Sequence, residues 1–320
     1  MKSLLVFVMF FAWSLCQAEN FTFVALGDAP YVREEGDYKT YEALIGKINS
    51  YQPDLVIHVG DTKTGGTLCS DEMLDRQLDY FNTYDSAVLY SPGDNEWTDC
   101  HRKFTGAYDP LERLAYIREH YFAKPELSLG ARKITVKHQG NEGYPENVRV
   151  LHKDILFVTL HIVGSNNNFR PDDENATKEF FARDKANIKW LKESFDDALL
   201  SGAKAIVIGI QADIFDVRNR PYGYLEKFYL GSSFANFGNT LIQQTNLLNK
   251  PVLLIHGDTH QFRMMRPFIE KSPQLFAMQV FGDRNMHAVK ISVNDEIFPF
   301  SFQPLINPEK PISATSVKKK

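Results

Sequence analysis

Glycine-aspartate follows a short apolar run at Leu26-Gly27-Asp28, Val59-Gly60-Asp61, Pro92-Gly93-Asp94 and His256-Gly257-Asp258. The runs Phe21–Leu26, Leu55–Val59, Ala87–Tyr90, Ile155–Val163, Ala205–Ile210, Val252–His256 and Ala288–Val293 read as buried strands. Between the first two, Tyr41, Leu44, Ile45 and Ile48 fall on one helical face; Ile188, Leu191, Phe195, Ala198 and Leu199 repeat the pattern before a helix-ending Gly202. This βαβ succession predicts an α/β fold with a mostly parallel central sheet, in a single domain. Open α/β sheets bind ligands at the carboxyl ends of their strands, where glycine lets the chain turn sharply. One Gly-Asp pair is ordinary turn chemistry. Four on separate strand ends gather carboxylates that raise one another's pKa unless cations neutralise them. A metal site is the economical reading.

The N-terminus has a different character. Lys2 precedes an unbroken apolar run, Leu4 to Trp13, then Ser14-Leu15-Cys16-Gln17-Ala18, the pattern of a secretory signal over 1–18 cut after Ala18. Such a run reaches about 15–18 Å as a helix, short of a hydrocarbon core of roughly 30 Å. The expectation is an exported protein, secreted or periplasmic, with no stable membrane insertion after cleavage. Residues 19–307 then form the folded domain and 308–320 a flexible, lysine-ended tail. Cleavage leaves Cys69 and Cys100, which read as a disulfide in an exported chain or else as two buried thiols. A net charge of −4 supplies no general basic field, so specific nucleic-acid binding is not expected.

In order and spacing the four motifs resemble those of the calcineurin-like metallophosphoesterases, the superfamily that includes the purple acid phosphatases. That family's pattern runs Asp-x-His, Gly-Asp, Gly-Asn-His-Glu, a lone His after a strand, then Gly-His-x-His. The resemblance spans about Phe21 to Val293. It implies a four-layer α/β/β/α sandwich with two divalent metal ions at the sheet edge, and hydrolysis of a phosphate ester by metal-bound hydroxide. By position, Asp28 and His260 hold the first metal, Asp61 bridges, and Asp94, Gln211 and Asp258 complete the second site.

Departures from the pattern sharpen the expectation. Pro30 replaces the first His and cannot ligate; Tyr31 beside it is a possible ligand. Asp94 replaces Asn, Asn95 replaces the His that assists the leaving group, and Gln211 and Asp258 replace His. Four aspartates cancel the charge of two divalent ions, which weakens attraction for a phosphate dianion and favours a phosphodiester over a monoester. One imidazole among six ligands shifts preference from Zn or Fe to Mg, Mn or Ca. Asn95 occupies the leaving-group position, and His101 and His161 are candidate proton donors in its stead. Lys63 and Arg102 are candidates for binding substrate phosphate. The loss of four imidazoles leaves an alternative, a non-catalytic protein that uses the metal site for structure or ligand binding. An unrelated doubly wound hydrolase lacks support, since neither Gly-x-Ser-x-Gly nor a phosphate loop occurs.

Overall fold

The computed structural model describes residues 20–32, 35–215 and 233–311. Residues 1–18, expected to be a signal segment, and most of the tail 308–320 lie outside the described residues.

The chain opens with β1 (Phe21–Leu26), α1 (Glu35–Ser50), β2 (Leu55–His58), α2 (Asp71–Asn82), β3 (Ala87–Tyr90) and α3 (Pro110–Tyr121). β1, β2 and β3 pair in parallel, with Phe23 opposite Leu55 and Leu55 opposite Ala87. Strand alternation sends Phe23 and Ala25 to one face and Val24 and Leu26 to the other. Val24 and Leu26 pack with Leu44, Phe81 and Ile117 of the three helices. Local signals start two of those helices. Ser70 accepts a hydrogen bond from Met73 N at the head of α2, and Asp109 from Leu111 N with proline in the first turn of α3.

The second half contributes β4 (Lys137–Gln139), β5 (Tyr144–His152), β6 (Ile155–Thr159), α4 (Glu174–Leu200), β7 (Ala205–Gly209), α5 (Ala235–Leu248), β8 (Val252–His256), β9 (Arg263–Met265) and β10 (Leu275–Gln279). The sheet order is β4-β5-β6-β7-β8-β10-β9. β11 (Ala288–Val293) and β12 (Phe300–Leu305) return to the first sheet, ordered β12-β11-β1-β2-β3. Phe23, Ile57 and Leu89 meet Phe157, Val207 and Ile255 between the sheets. Trp190, Leu191, Phe237 and Leu241 of α4 and α5 cover the outer face of the second. Helices, sheet, sheet and helices make the four-layer α/β/β/α sandwich that the resemblance implies.

A single mostly parallel sheet is corrected to two mixed ones. Parallel pairing runs through β1-β2-β3 and β6-β7-β8-β10, antiparallel strands flank these at β11-β12, β5-β4 and β9, and β3 is the other edge of the first sheet. The run Ile155–Val163 also ends earlier as a strand, at Thr159. Beyond it Ser165, Asn166, Asn167 and Asn168 are all left-handed, with φ of 48°, 55°, 54° and 60°. Such a run costs energy in an L-peptide and persists only where its surroundings fix it. Here the fully buried guanidinium of Arg183 donates to Asn167 O, Asn167 Oδ1 and His161 O.

Cys69 and Cys100 form a disulfide, Cα atoms 5.8 Å apart, joining the segment after β2 to the one after β3. Replacing both by serine is expected to lower stability by about 3–4 kcal/mol through the freed loop entropy of the unfolded chain. The urea midpoint measures it; an unchanged midpoint contradicts the expectation.

Candidate metal centre

The Gly-Asp motifs converge where the carboxyl ends of the two sheets meet. Asp28, Asp61, Asp258 and His260 all have left-handed backbones, with φ of 51°, 55°, 77° and 57°. Residues with a Cβ adopt this region sparingly, and functional sites are where it is tolerated. Two of the glycines are required by close approach. A Cβ on Gly93 would lie 2.1 Å from Asp61 Oδ1, and one on Gly257 2.5 Å from Asp28 Oδ2.

One carboxylate oxygen from each of Asp28 and Asp61 and one ring nitrogen of His260 lie within 4.8 Å of one another. His260 Nδ1 meets Asp283 Oδ1 at 3.0 Å, which leaves Nε2 facing Asp28 Oδ1 at 3.8 Å. A carboxylate behind the imidazole fixes its orientation and raises its basicity as a ligand. Asp283 escaped the sequence reading, although Gly282-Asp283 is a fifth glycine-aspartate pair just beyond a strand. Asp28 accepts the Asp258 backbone N–H with both oxygens, at 2.9 and 3.1 Å. Asp61 Oδ2 accepts from Tyr31 Oη at 2.6 Å and Asn95 Nδ2 at 2.8 Å. Tyr31 thus reaches the centre as a hydrogen-bond donor to Asp61. Burial and the adjacent carboxylates Asp61 and Asp28 hold its hydroxyl well above the usual phenol range.

Asp94 lies beside this trio but is already engaged. Ser165 Oγ reaches its Oδ2 at 2.7 Å, and Gln211 Nε2 donates to its Oδ1 at 3.2 Å. Gln211 Oε1 accepts from Gly164 N at 2.5 Å. Asp258 Oδ2 accepts from Asp213 N at 3.2 Å. Glu96, fully buried, takes Thr62 N, Thr62 Oγ1 and Tyr90 Oη on Oε1 at 2.8, 3.0 and 3.0 Å.

The other candidate residues are placed unevenly. Lys63 is enclosed, and its Nζ donates to Thr64 O and Asn95 O, so its charge supports the Asn95 loop instead of facing solvent. Arg102 is partly exposed and pairs with Asp99 at 2.7 Å. His161 is fully buried, 2.7 Å from Glu146 Oε1 and edge-on to Trp97. Burial drives it down to about 4, a poor proton donor at neutral pH. His101 stays exposed on the turn after Asp94, with Nδ1 2.7 Å from Thr98 O.

Residues 21–262 match the family described as calcineurin-like phosphoesterase. The chain belongs to that family. A comparison with curated proteins finds no match. Among solved structures it is similar to a dimetal phosphatase from Danio rerio, at 9% identity and TM-score 0.56, covering 90% of this chain and 99% of that one. It is also similar to GAP50, the anchor in the inner membrane complex of Plasmodium, at 9% identity and TM-score 0.54, covering 91% and 86%. A purple acid phosphatase from yellow lupin seeds matches at 12% identity and TM-score 0.52, covering 93% of this chain and 53% of that one. At these identities the likeness is one of fold.

The electrostatics of this calcineurin-like phosphoesterase fit the dinuclear cation site of its family. Burial first, then neighbouring acids, pushes Asp61 and Asp258 well above the carboxylate range. Asp28 rises to about 7, chiefly by burial, with His260 opposing. Asp94 and Glu96 are also raised by burial. Carboxylates this close ionise together only with positive charge among them. Oxygen donors with one carboxylate-backed imidazole are a donor set suited to divalent cations.

Proposed function

We propose that the protein is an exported, divalent-cation-dependent phosphoesterase that hydrolyses a phosphodiester in preference to a monoester. The carrying observation is the Asp28–Asp61–His260 trio, converging within 4.8 Å at the strand ends of a calcineurin-like phosphoesterase. Asp28 and His260 hold one cation, Asp61 is shared, and Asp94, Gln211 and Asp258 serve the second. Mg, Mn or Ca suit this set better than Zn or Fe. When bound, such ions supply Lewis acidity toward phosphoryl oxygens and activate water near neutral pH. Asn95 and Tyr31 orient Asp61, Arg102 meets the substrate phosphate at the rim, and exposed His101 protonates the departing alcohol. The disulfide supports export, since such bonds persist in oxidising compartments.

The test adds Mg²⁺, Mn²⁺, Ca²⁺, Zn²⁺ or Fe²⁺ separately to metal-stripped protein, with chromogenic phosphodiesters and phosphomonoesters. Diester turnover with Mn²⁺ or Mg²⁺ is expected, falling roughly 10²–10³-fold or more in Asp61→Ala. Turnover that survives Asp61→Ala, or none with any cation, overturns the proposal. The hydrogen bonds already on Asp61 Oδ2 and on Gln211 favour a second reading, a non-catalytic cation-binding protein. Cation binding without turnover would select it.

A further inference from the structure

The two halves of the proposed cation site are not equally ready. Asp28, Asp61 and His260 present ligand atoms to one another. Asp28 and Asp61 accept hydrogen bonds too, but Asp94 stands outside their trio with His260, and both its oxygens and the oxygen of Gln211 are engaged by protein groups. Gln211 turns its amide nitrogen, not its oxygen, toward Asp94 Oδ1, at 3.2 Å. Its oxygen, the only atom it has to offer a metal, is taken by Gly164 N at 2.5 Å. Ser165 Oγ lies 2.7 Å from Asp94 Oδ2 and 2.8 Å from Asp99 Oδ1. Gly164 and Ser165 arrive there because the left-handed turn through Asn168 is clamped from behind by buried Arg183. Gly164 also has no room to spare: a Cβ would lie 2.7 Å from Asp94 Oδ2 and 3.2 Å from Asp258 Oδ1.

We infer that the turn Gly164–Asn168 is a lock on the second cation position, so that the resting protein binds one divalent cation much more tightly than the next. Ser165 and Gln211 are its positioning residues. A second cation must turn the Gln211 amide over and displace the Ser165 hydroxyl from a carboxylate. Giving up a hydrogen bond to a charged group weakens the second site by ~10-fold or more relative to the first. This rests on the proposed cation site but not on hydrolysis.

Titrating metal-stripped protein with Mn²⁺ by calorimetry, with electron paramagnetic resonance to detect paired ions, tests the lock. Wild type is expected to bind one equivalent tightly and a second ~10-fold or more weaker, with a paired-ion signal only at high Mn²⁺. Ser165→Ala is expected to tighten the second step by ~10-fold and leave the first unchanged. Gln211→His, which places a ligand nitrogen where the amide turns away, is expected to do the same and decides the matter if Ser165→Ala fails to fold. Two equivalents of matched affinity in wild type, or folded variants with an unmoved second step, overturn the inference. A purely structural role for Ser165 would shift the melting temperature but not the ratio of the two affinities. If turnover fails while the affinities separate as stated, hydrolysis is what falls.

Discussion

Gly93→Ala is expected to abolish divalent-cation binding and to cost roughly 1–3 kcal/mol of stability or more through overpacking. The new methyl would sit 2.1 Å from Asp61 Oδ1, 2.4 Å from Asp61 N and 2.7 Å from Glu96 Oε2. None of these atoms is free to yield. The Asp61 strand end is held against its neighbour by Asp28 N on Gly60 O at 2.9 Å, and its carboxylate by Tyr31 and Asn95. Glu96 is fixed through its other oxygen by Thr62 and Tyr90. Gly46, within α1, is the matched control, since its Cβ would meet nothing within 4 Å. Alanine there is expected to stabilise by about 0.5–1 kcal/mol and leave binding intact. Melting curves with and without MnCl₂ read both variants. A Gly93→Ala protein whose melting temperature still rises with Mn²⁺ would show that the centre is not built around this approach.

That Gly93 could be singled out at all reflects what sequence carries well. Strand-ending Gly-Asp pairs are local, and a backbone that must pass close to a carboxylate records the need as glycine. The central strands were legible for a similar reason, being continuous apolar runs covered on both faces. β5 was not. Its Pro145, Glu146 and Asn147 offer no apolar run, yet Glu146 and Asn147 are fully buried. Arg118, from α3, donates to both oxygens of Glu146, at 3.2 and 3.1 Å, and His161, beyond β6, meets the same carboxylate. These partners are brought together only by the packed fold. The same limit explains Lys63, which stands two residues past Asp61 and looks poised for an anion. In the fold the loop closes over it and directs its ammonium into carbonyls. Which strand end a side chain belongs to can be read from spacing, but which way it turns depends on the neighbouring layer.

The acids themselves make the remaining strong prediction, a stability gap that cations narrow. Asp28 is raised from 3.8 to about 7, first by burial. Between those values the folded, metal-free chain retains a proton that the unfolded chain has given up. Its stability therefore falls as pH rises through that window and stays low above it. Asn at position 28 removes the titration while Oδ1 still accepts the Asp258 N–H that Asp28 accepts at 2.9 Å. In EDTA at pH 8, Asp28→Asn is expected to melt higher than wild type, and at pH 3.5 the two should converge. Cations narrow the gap. At 100 times its dissociation constant, Mn²⁺ adds about 2.7 kcal/mol to wild type. The variant, whose neutral amide oxygen is a weaker ligand than the carboxylate, gains less. Its advantage in melting temperature over wild type is then expected to shrink in MnCl₂ at pH 8. A variant less stable than wild type with and without the cation would mean that Asp28 is held by its hydrogen bonds and not strained by its charge. A variant that is more stable in EDTA, with a lead that shrinks in MnCl₂, would show the carboxylate kept in place against its own electrostatic cost, which a bound cation relieves.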